Sequence, residues 1–196
     1  MLVSVLSFFA VVLTVLRSWP QFVRILVRKE RSGVSLSTWL MAVANHTGWF
    51  MYGILSAIPL FTVVNVLAGA GCVATAWTLS SWRPIAVVVI MSTLLSLSTF
   101  AIADAVLLTT ITALSFGMFL PQLGKVIRTS AEGVSIATWS VAALASATWI
   151  AYACAIHRPT IAVAHFFMLP ASLIIIVRTS AVRSVEGQRT SVEIAD

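Results

Sequence analysis

Residues 33–39 read GVSLSTW, and residues 133–139 read GVSIATW. The same stretch therefore occurs twice, 100 positions apart, and it differs at only two of its seven positions. A match that includes glycine and tryptophan at fixed places indicates an internal repeat. Further equivalent residues extend the match on both sides, at an offset of 100 or 101: Trp19-Pro20-Gln21 with Leu120-Pro121-Gln122, Trp49 with Trp149, Tyr52 with Tyr152, and Pro59 with Pro159.

The composition of the chain is that of a membrane protein. Apolar residues make up 60% of the sequence, charged residues 9%, and the mean hydropathy is +1.03. A soluble globular domain carries about 25% charged residues, so this composition excludes one. The net charge of +6 comes from short basic clusters between apolar runs, which is typical of membrane loops. We therefore expect the lipid bilayer to be a partner and nucleic acid not to be one.

Uncharged runs of about 20 residues, the length needed to cross a bilayer as a helix, predict the spans. The first span extends from the N-terminus through Pro20 to about Val27, and Pro59 divides a longer run into two spans. Four further runs bring the predicted total to seven: 84–103, 105–124, 133–157 and 159–177.

Three spans per repeat would insert a directly fused second copy upside down, so the fourth span is expected to restore its orientation. The predicted fold class is an all-α membrane protein with seven transmembrane helices, in which two parallel three-helix bundles are joined by a linker helix. The predicted divisions are a first repeat at 1–82, a linker at 83–103, a second repeat at 104–178 and a polar, mobile cytoplasmic tail at 179–196.

The distribution of charge predicts the orientation of the chain in the cell membrane. Basic residues cluster after the first, third, fifth and seventh spans, whereas the opposite side receives only Asp104, His157 and Arg158. The positive-inside rule then places the N-terminus outside and the C-terminus in the cytoplasm. The first apolar run has a counterpart at 105–120, so we expect it to be part of the fold rather than a signal peptide. Cys72 and Cys154 are expected to be unpaired packing residues.

The order Pro-Gln, Gly-Val-Ser, Trp-x-x-Tyr and Pro in both repeats resembles the PQ-loop and SWEET superfamily of membrane proteins. The resemblance implies a substrate pocket between the two bundles, lined by Trp49 and Asn65 of the first repeat and by Trp149 of the second. At the fourth position, His165 stands where the family pattern has asparagine. The resemblance also implies facilitated diffusion of a sugar by alternating access.

The proline-glutamine pairs are candidate hinges. Proline lacks an amide hydrogen and crowds the carbonyl one turn earlier, so Pro20 and Pro121 should each kink a helix at the same place in the two repeats. The predicted hinge and gate residues are Pro20, Gln21, Pro121 and Gln122, to which the resemblance adds Tyr52 and Tyr152 as an external gate.

Polar side chains within the apolar spans are candidates for a cavity wall. Asn45, Trp49 and Tyr52 lie at i, i+4 and i+7 and so share one helical face, which either packs between helices or borders a cavity. Arg17 lies one turn before Pro20, where it either faces the interior and favours an anionic group or extends to the interface. The candidate cavity-lining residues are Arg17, Asn45, His46 and Ser146.

The leading hypothesis is a facilitative carrier for a small polar solute, with a mono- or disaccharide as the first candidate. His165 and Arg17 favour an alternative, a carrier of an amino acid or other charged metabolite, with or without coupled protons. A receptor that transports no solute is a second alternative. The sequence lacks the last-span lysine of a retinal protein, the His-Glu-x-x-His motif of a metalloprotease and the paired aspartates of an intramembrane aspartyl protease. It also lacks a phosphate loop, so we expect no enzyme activity, cofactor or metal. A homo-oligomer is compatible with the sequence.

Overall fold

The computed structural model describes residues 1–128, 131, 133–157 and 159–193, with side chains described up to residue 184 apart from 159–161. Within these ranges the chain is helical and contains no β-strand. The helices are α1 (Leu2–Leu16), α2 (Trp19–Arg28), α3 (Leu36–Leu55), α4 (Pro59–Leu79), α5 (Trp82–Ile102), α6 (Asp104–Gly117), α7 (Leu120–Arg128), α8 (Ile136–Ala155) and α9 (Pro159–Glu193).

Local sequence explains where the helices begin. The hydroxyls of Ser35 and Ser135 accept hydrogen bonds from the backbone N–H groups of Thr38 and Thr138, so each serine caps the helix that follows it. The turn before α3 contains Gly33 with a φ of 73°, a conformation that glycine adopts without steric cost. Proline stands at the first position of α4 and of α9, where its missing N–H costs nothing.

The first and fifth predicted spans are both interrupted close to their prolines. The interruption lies at Arg17 and Ser18 in one span and at Met118 and Phe119 in the other, three and two residues before the proline. Because proline at position i removes the bond to the carbonyl at i−4 and crowds it, a break in the turn before it is the expected effect. The structure thus interrupts the helix near both prolines, where the sequence predicts kinks.

Six helical segments of the described chain are long and apolar enough to cross a membrane. They cover α1 with α2, then α4, α5, α6 with α7, α8, and the part of α9 at Ala162–Ser184. The predicted spans that start at Pro59 and Asp104 are among them. The predicted span at α3 is also a 20-residue helix but is absent from this set, and it carries Asn45, His46 and Thr47 at its centre.

The helices pack in two corresponding patterns. The most extensive contacts are those of α3 with α4 and of α8 with α9. The interrupted helix α1–α2 packs against α4 and α8, and the interrupted helix α6–α7 packs against α9 and α3. Helix α5 contacts α3, α4 and α6. Each interrupted helix therefore bridges the two repeats seen in the sequence.

The last helix continues beyond the predicted end of the seventh span. The uncharged run predicts an end at residue 177, but α9 extends to Glu193. Thr179 is fully buried, Val182 packs against the core, and the guanidinium of Arg183 donates to the carbonyl of Val134. These contacts explain why the chain stays helical past the apolar run. Residues 194–196 of the predicted tail, and Arg158 of the predicted outer side, lie outside the described residues.

Helices α3 and α4 are in close contact at Gly53. A Cβ atom there would lie 2.6 Å from the backbone nitrogen of Thr62 and 3.1 Å from the carbonyl carbon of Phe61. Backbone atoms cannot rotate away, so we expect Gly53→Ala to lower the unfolding free energy by about 1–3 kcal/mol. The measurement is the Tm of the purified protein in detergent. Gly124→Ala is the control, because a Cβ at Gly124 meets nothing within 4 Å; equal melting of the two variants would contradict the close approach.

Candidate functional site: a cavity lined by both repeats

A polar cavity of about 70 Å³ lies where six helices meet. Since roughly 10–15 Å³ suffices for one ordered water, it has room for about five waters or one small solute of similar bulk. Helix α5 contributes nothing to it, and both repeats do. The residues that line it are Thr14, Arg17, Asn45, His46, Trp49, Phe61, Val64, Asn65, Thr112, Ser115, Trp149, Ala164, His165 and Met168.

The structure brings together all four residues that the resemblance assigned to a substrate pocket. Trp49 and Asn65 border the cavity from one repeat, and Trp149 and His165 border it from the other. Of the four additional candidates, Arg17, Asn45 and His46 also line it. Ser146 does not: it is completely buried away from the cavity, and its hydroxyl has no hydrogen-bond partner among the described residues.

Equivalent bonds between the repeats position the two indole rings. The Nε1–H of Trp149 donates to the hydroxyl of Thr14 at 2.8 Å, and that of Trp49 points to the hydroxyl of Ser115 at 3.5 Å. Thr14 and Ser115 are separated by 101 residues, the same offset as the two prolines. Each tryptophan is therefore held by a hydroxyl on the interrupted helix of the other repeat.

A chain of hydrogen bonds runs along one wall of the cavity. Nη2 of Arg17 lies 2.8 Å from Nε2 of His46, and Nδ1 of His46 lies 2.7 Å from Oδ1 of Asn65. A guanidinium can only donate, so Nε2 accepts, and Nδ1–H donates to Asn65. The imidazole is then neutral, and the positive charge of this wall is on Arg17. The amide nitrogen of Asn65 in turn donates to the carbonyl of Phe61 at 2.8 Å.

Asn65, which the resemblance assigns to substrate binding, already bonds two of its neighbours. Its carbonyl oxygen is occupied by His46, and one of its N–H groups by Phe61, which leaves one N–H for a bound solute. Asn45 is similarly engaged, because its Oδ1 accepts from the hydroxyl of Ser115 at 2.6 Å. The carbonyl oxygens of both asparagines at the cavity are thus engaged by other side chains.

Aromatic rings form another part of the cavity wall. The indole of Trp49 stacks on Phe61 with 5.5 Å between ring centroids, and that of Trp149 stacks on His165 at 5.8 Å. Nδ1 of His165 is buried and has no partner in the described part of the chain. The predicted gate residues Tyr52 and Tyr152 do not line the cavity, but each packs edge-on against the tryptophan of its own helix.

Gln21 and Gln122 make reciprocal bonds to the turn of the opposite repeat. The amide of Gln21 donates to the carbonyl of Gly133 at 2.9 Å and accepts from the N–H of Ser135 at 2.8 Å. Gln122 donates to the carbonyl of Gly33 at 2.7 Å and accepts from the N–H of Ser35 at 2.8 Å. Both amides are 1% exposed. We call these four hydrogen bonds the glutamine clamps.

A second, smaller cavity lies between the polar cavity described above and the glutamine clamps. Its volume is about 30 Å³, and Arg17 borders both cavities. Thr38 and Thr138, in the first turns of α3 and α8, line it, and neither hydroxyl has a partner among the described residues. The clamps join the residues immediately before these turns. The second cavity therefore extends from Arg17 toward the clamps.

Sequence reasoning missed several cavity residues. Thr14 and Ser115 could have been found, because the offset of 101 that aligns the prolines also aligns these two hydroxyl residues. Phe61, Val64, Ala164 and Met168 are ordinary residues of an apolar helix and carry no such signal. No model of a known protein family matches the chain, and no match was found among curated proteins.

Removal of one clamp should destabilise the fold. Gln21→Leu leaves the buried carbonyl of Gly133 and the N–H of Ser135 without partners, and each such group costs about 1–3 kcal/mol. We expect the Tm of the purified protein to fall, and to fall similarly for Gln122→Leu. Thr148→Val is the control, since this exposed hydroxyl bonds only to Leu144 of its own helix. Glutamine variants that melt with the control would show that the clamps contribute no stability.

Proposed function

We propose that this protein is a multi-pass membrane carrier that moves a small polar solute by alternating access. The observation that carries the proposal is a polar cavity lined by residues of both repeats. The tryptophan of each repeat is paired there with a hydroxyl of the other repeat, in equivalent positions. A cavity of this kind is a binding site for a solute that fits it. Six apolar helices of sufficient length support a membrane location.

The arrangement we infer for the carrier has seven spans, because α3 is added to the six helical segments described above. Its polar centre lowers its hydropathy, but Asn45 and His46 are buried against other helices and cavity rather than facing lipid. Two three-helix bundles, 1–82 and 104–178, then stand parallel with α5 as the linker at 83–103. The corresponding packing of α1–α2 and α6–α7 supports this arrangement.

The proposed transport cycle uses features present in both repeats. Bundles that rock about the breaks before Pro20 and Pro121 would open one side and close the other. The glutamine clamps close the side at which α2 and α7 end, and opening there would break four buried hydrogen bonds. Tyr52 and Tyr152 lie at the opposite ends of α3 and α8, where they can gate the second opening.

Two substrate classes follow from two different walls of the cavity. The indoles of Trp49 and Trp149 support a sugar, whose C–H faces pack well on aromatic rings. The guanidinium of Arg17 supports a charged metabolite instead.

Disruption of the cavity should abolish transport without preventing folding. We expect Trp49→Ala and Asn65→Ala to reduce uptake into proteoliposomes to background, since they remove an aromatic wall and the acceptor of His46. The probe is whichever of a set of sugars, amino acids and organic acids raises the Tm of the wild-type protein most. Trp82→Ala, at a 66% exposed position, should keep normal uptake. Normal uptake by both cavity variants would remove the proposed site.

The parallel arrangement predicts that α2 and α7 end on the same side of the membrane. With Cys72 and Cys154 replaced by alanine, single cysteines are introduced as Arg28→Cys, Arg128→Cys and Asp104→Cys, all at exposed positions. In intact expressing cells, an impermeant maleimide should label position 104 alone, and positions 28 and 128 only after permeabilisation. Labelling of 28 and 128 from different faces would refute both the parallel bundles and the carrier built on them.

A further inference from the structure

We infer that the solute bound in the cavity is a small organic monoanion, a monocarboxylate without an ammonium group, held by Arg17. The inference rests on the proposed function, because it names the substrate class of the same cavity. It depends on where charge lies around the site rather than on the shape of the site.

Arg17 is 9% exposed and borders the cavity at the break between α1 and α2. Its guanidinium makes one hydrogen bond within the described part of the chain, to His46, and no ion pair there. The imidazole accepts that bond as a neutral ring and so does not compensate the charge. A buried charge without a counter-ion is unfavourable, and an anion in the cavity would relieve this cost.

The described side chains offer no carboxylate for this purpose. Between Glu30 and Glu132 the only acidic residue is Asp104, and none follows Glu132 until Glu186. Glu30 pairs with Arg24, and Asp104 is exposed at the start of α6, where it accepts from the N–H of Ala105. No acidic residue lines the cavity. Within the described part of the chain Arg17 therefore has no counter-ion, and a solute anion that enters the cavity would supply one.

The amount of charge selects among anions. With His46 neutral, the wall carries one positive charge, which a monocarboxylate neutralises and to which its two oxygens can bond in the fork geometry of a guanidinium. A dicarboxylate would leave a second negative charge in a site with no other cation among its lining residues. A zwitterionic amino acid would bring an ammonium that finds no carboxylate.

The remaining groups of the cavity suit the rest of such a molecule. Trp49, Trp149 and Phe61 provide apolar contact, and the N–H of Asn65 that Phe61 does not engage can bond a hydroxyl. The volume of about 70 Å³, with room for about five waters, suits a small solute. A short 2-hydroxy acid combines these properties, and lactate is therefore the probe.

The test compares five solutes of related structure on the purified full-length protein at pH 7 and constant ionic strength. They are lactate, its neutral amide lactamide, the zwitterion alanine, the dianion succinate, and glucose. We expect lactate to raise the Tm, with the other four producing little or no shift. Equal shifts by lactate and lactamide, or no shift by lactate, would overturn the assignment without any variant being needed.

Variants then locate the effect. Arg17→Met installs the residue that occupies the equivalent position 118, which the fold accommodates in the other repeat. We expect it to weaken lactate binding by at least about tenfold, in keeping with the loss of a charge-assisted bond. Arg17→Lys keeps the charge but loses the two-pronged geometry of the guanidinium, so its affinity for lactate should lie between those of the wild type and Arg17→Met. Arg83→Gln, which removes an exposed charge from α5, should bind lactate normally; unchanged binding by Arg17→Met would overturn the role of Arg17.

Uptake into proteoliposomes separates this inference from the proposed function. Lactate that binds through Arg17 but does not enter vesicles would support the ligand class and refute the carrier. Uptake of glucose or alanine that Arg17→Met leaves unchanged, without lactate binding, would refute the ligand class and support the carrier. Uptake of labelled lactate that Arg17→Met abolishes would support both.

Discussion

Backbone N–H and C=O groups that lie away from water must find partners inside the protein. Helices meet this requirement within themselves, but the turns before α3 and α8 do not. The carbonyl of Gly33 and the N–H of Ser35 are satisfied by Gln122, and the same groups of the second turn are satisfied by Gln21. Each repeat is therefore incomplete without the other. An interruption close to each glutamine places its amide at the opposite turn, and the rest of the packing follows from this exchange.

The same exchange makes the cavity a shared one. Thr14 and Ser115 lie on the interrupted helices, and each faces the tryptophan of the other repeat. Because each interrupted helix packs against both repeats, the polar side chains of the two repeats meet at one cavity. The scaffold of the site is thus nearly two-fold, whereas its charge is not: Arg17 has no counterpart, since Met118 occupies the equivalent position.

Much of the fold could be predicted because its determinants are local or recurrent. Pro59 and Asp104 begin helices where the uncharged runs place them, and the helix breaks follow from Pro20 and Pro121. The link from Arg17 to His46 could not be predicted, since it joins residues 29 positions apart whose distance depends on how three helices pack. Nor could the length of α9, because Thr179 and its neighbours are polar in sequence and become buried only against the assembled bundle.

Some residues of the site have an equivalent in the other repeat, whereas Arg17 has none, and this difference bears on how a carrier of this kind would operate. Movement of two bundles against each other requires matching hinges and matching contacts, and these are what the prolines, the glutamine clamps and the tryptophan-hydroxyl pairs supply from both sides. Selectivity makes no such demand, because a solute contacts both bundles at once and one charged residue suffices to choose it. Arg17 can therefore differ from Met118 without disturbing the paired framework. Substrate preference could change by substitution in one repeat while the proposed motion stays the same.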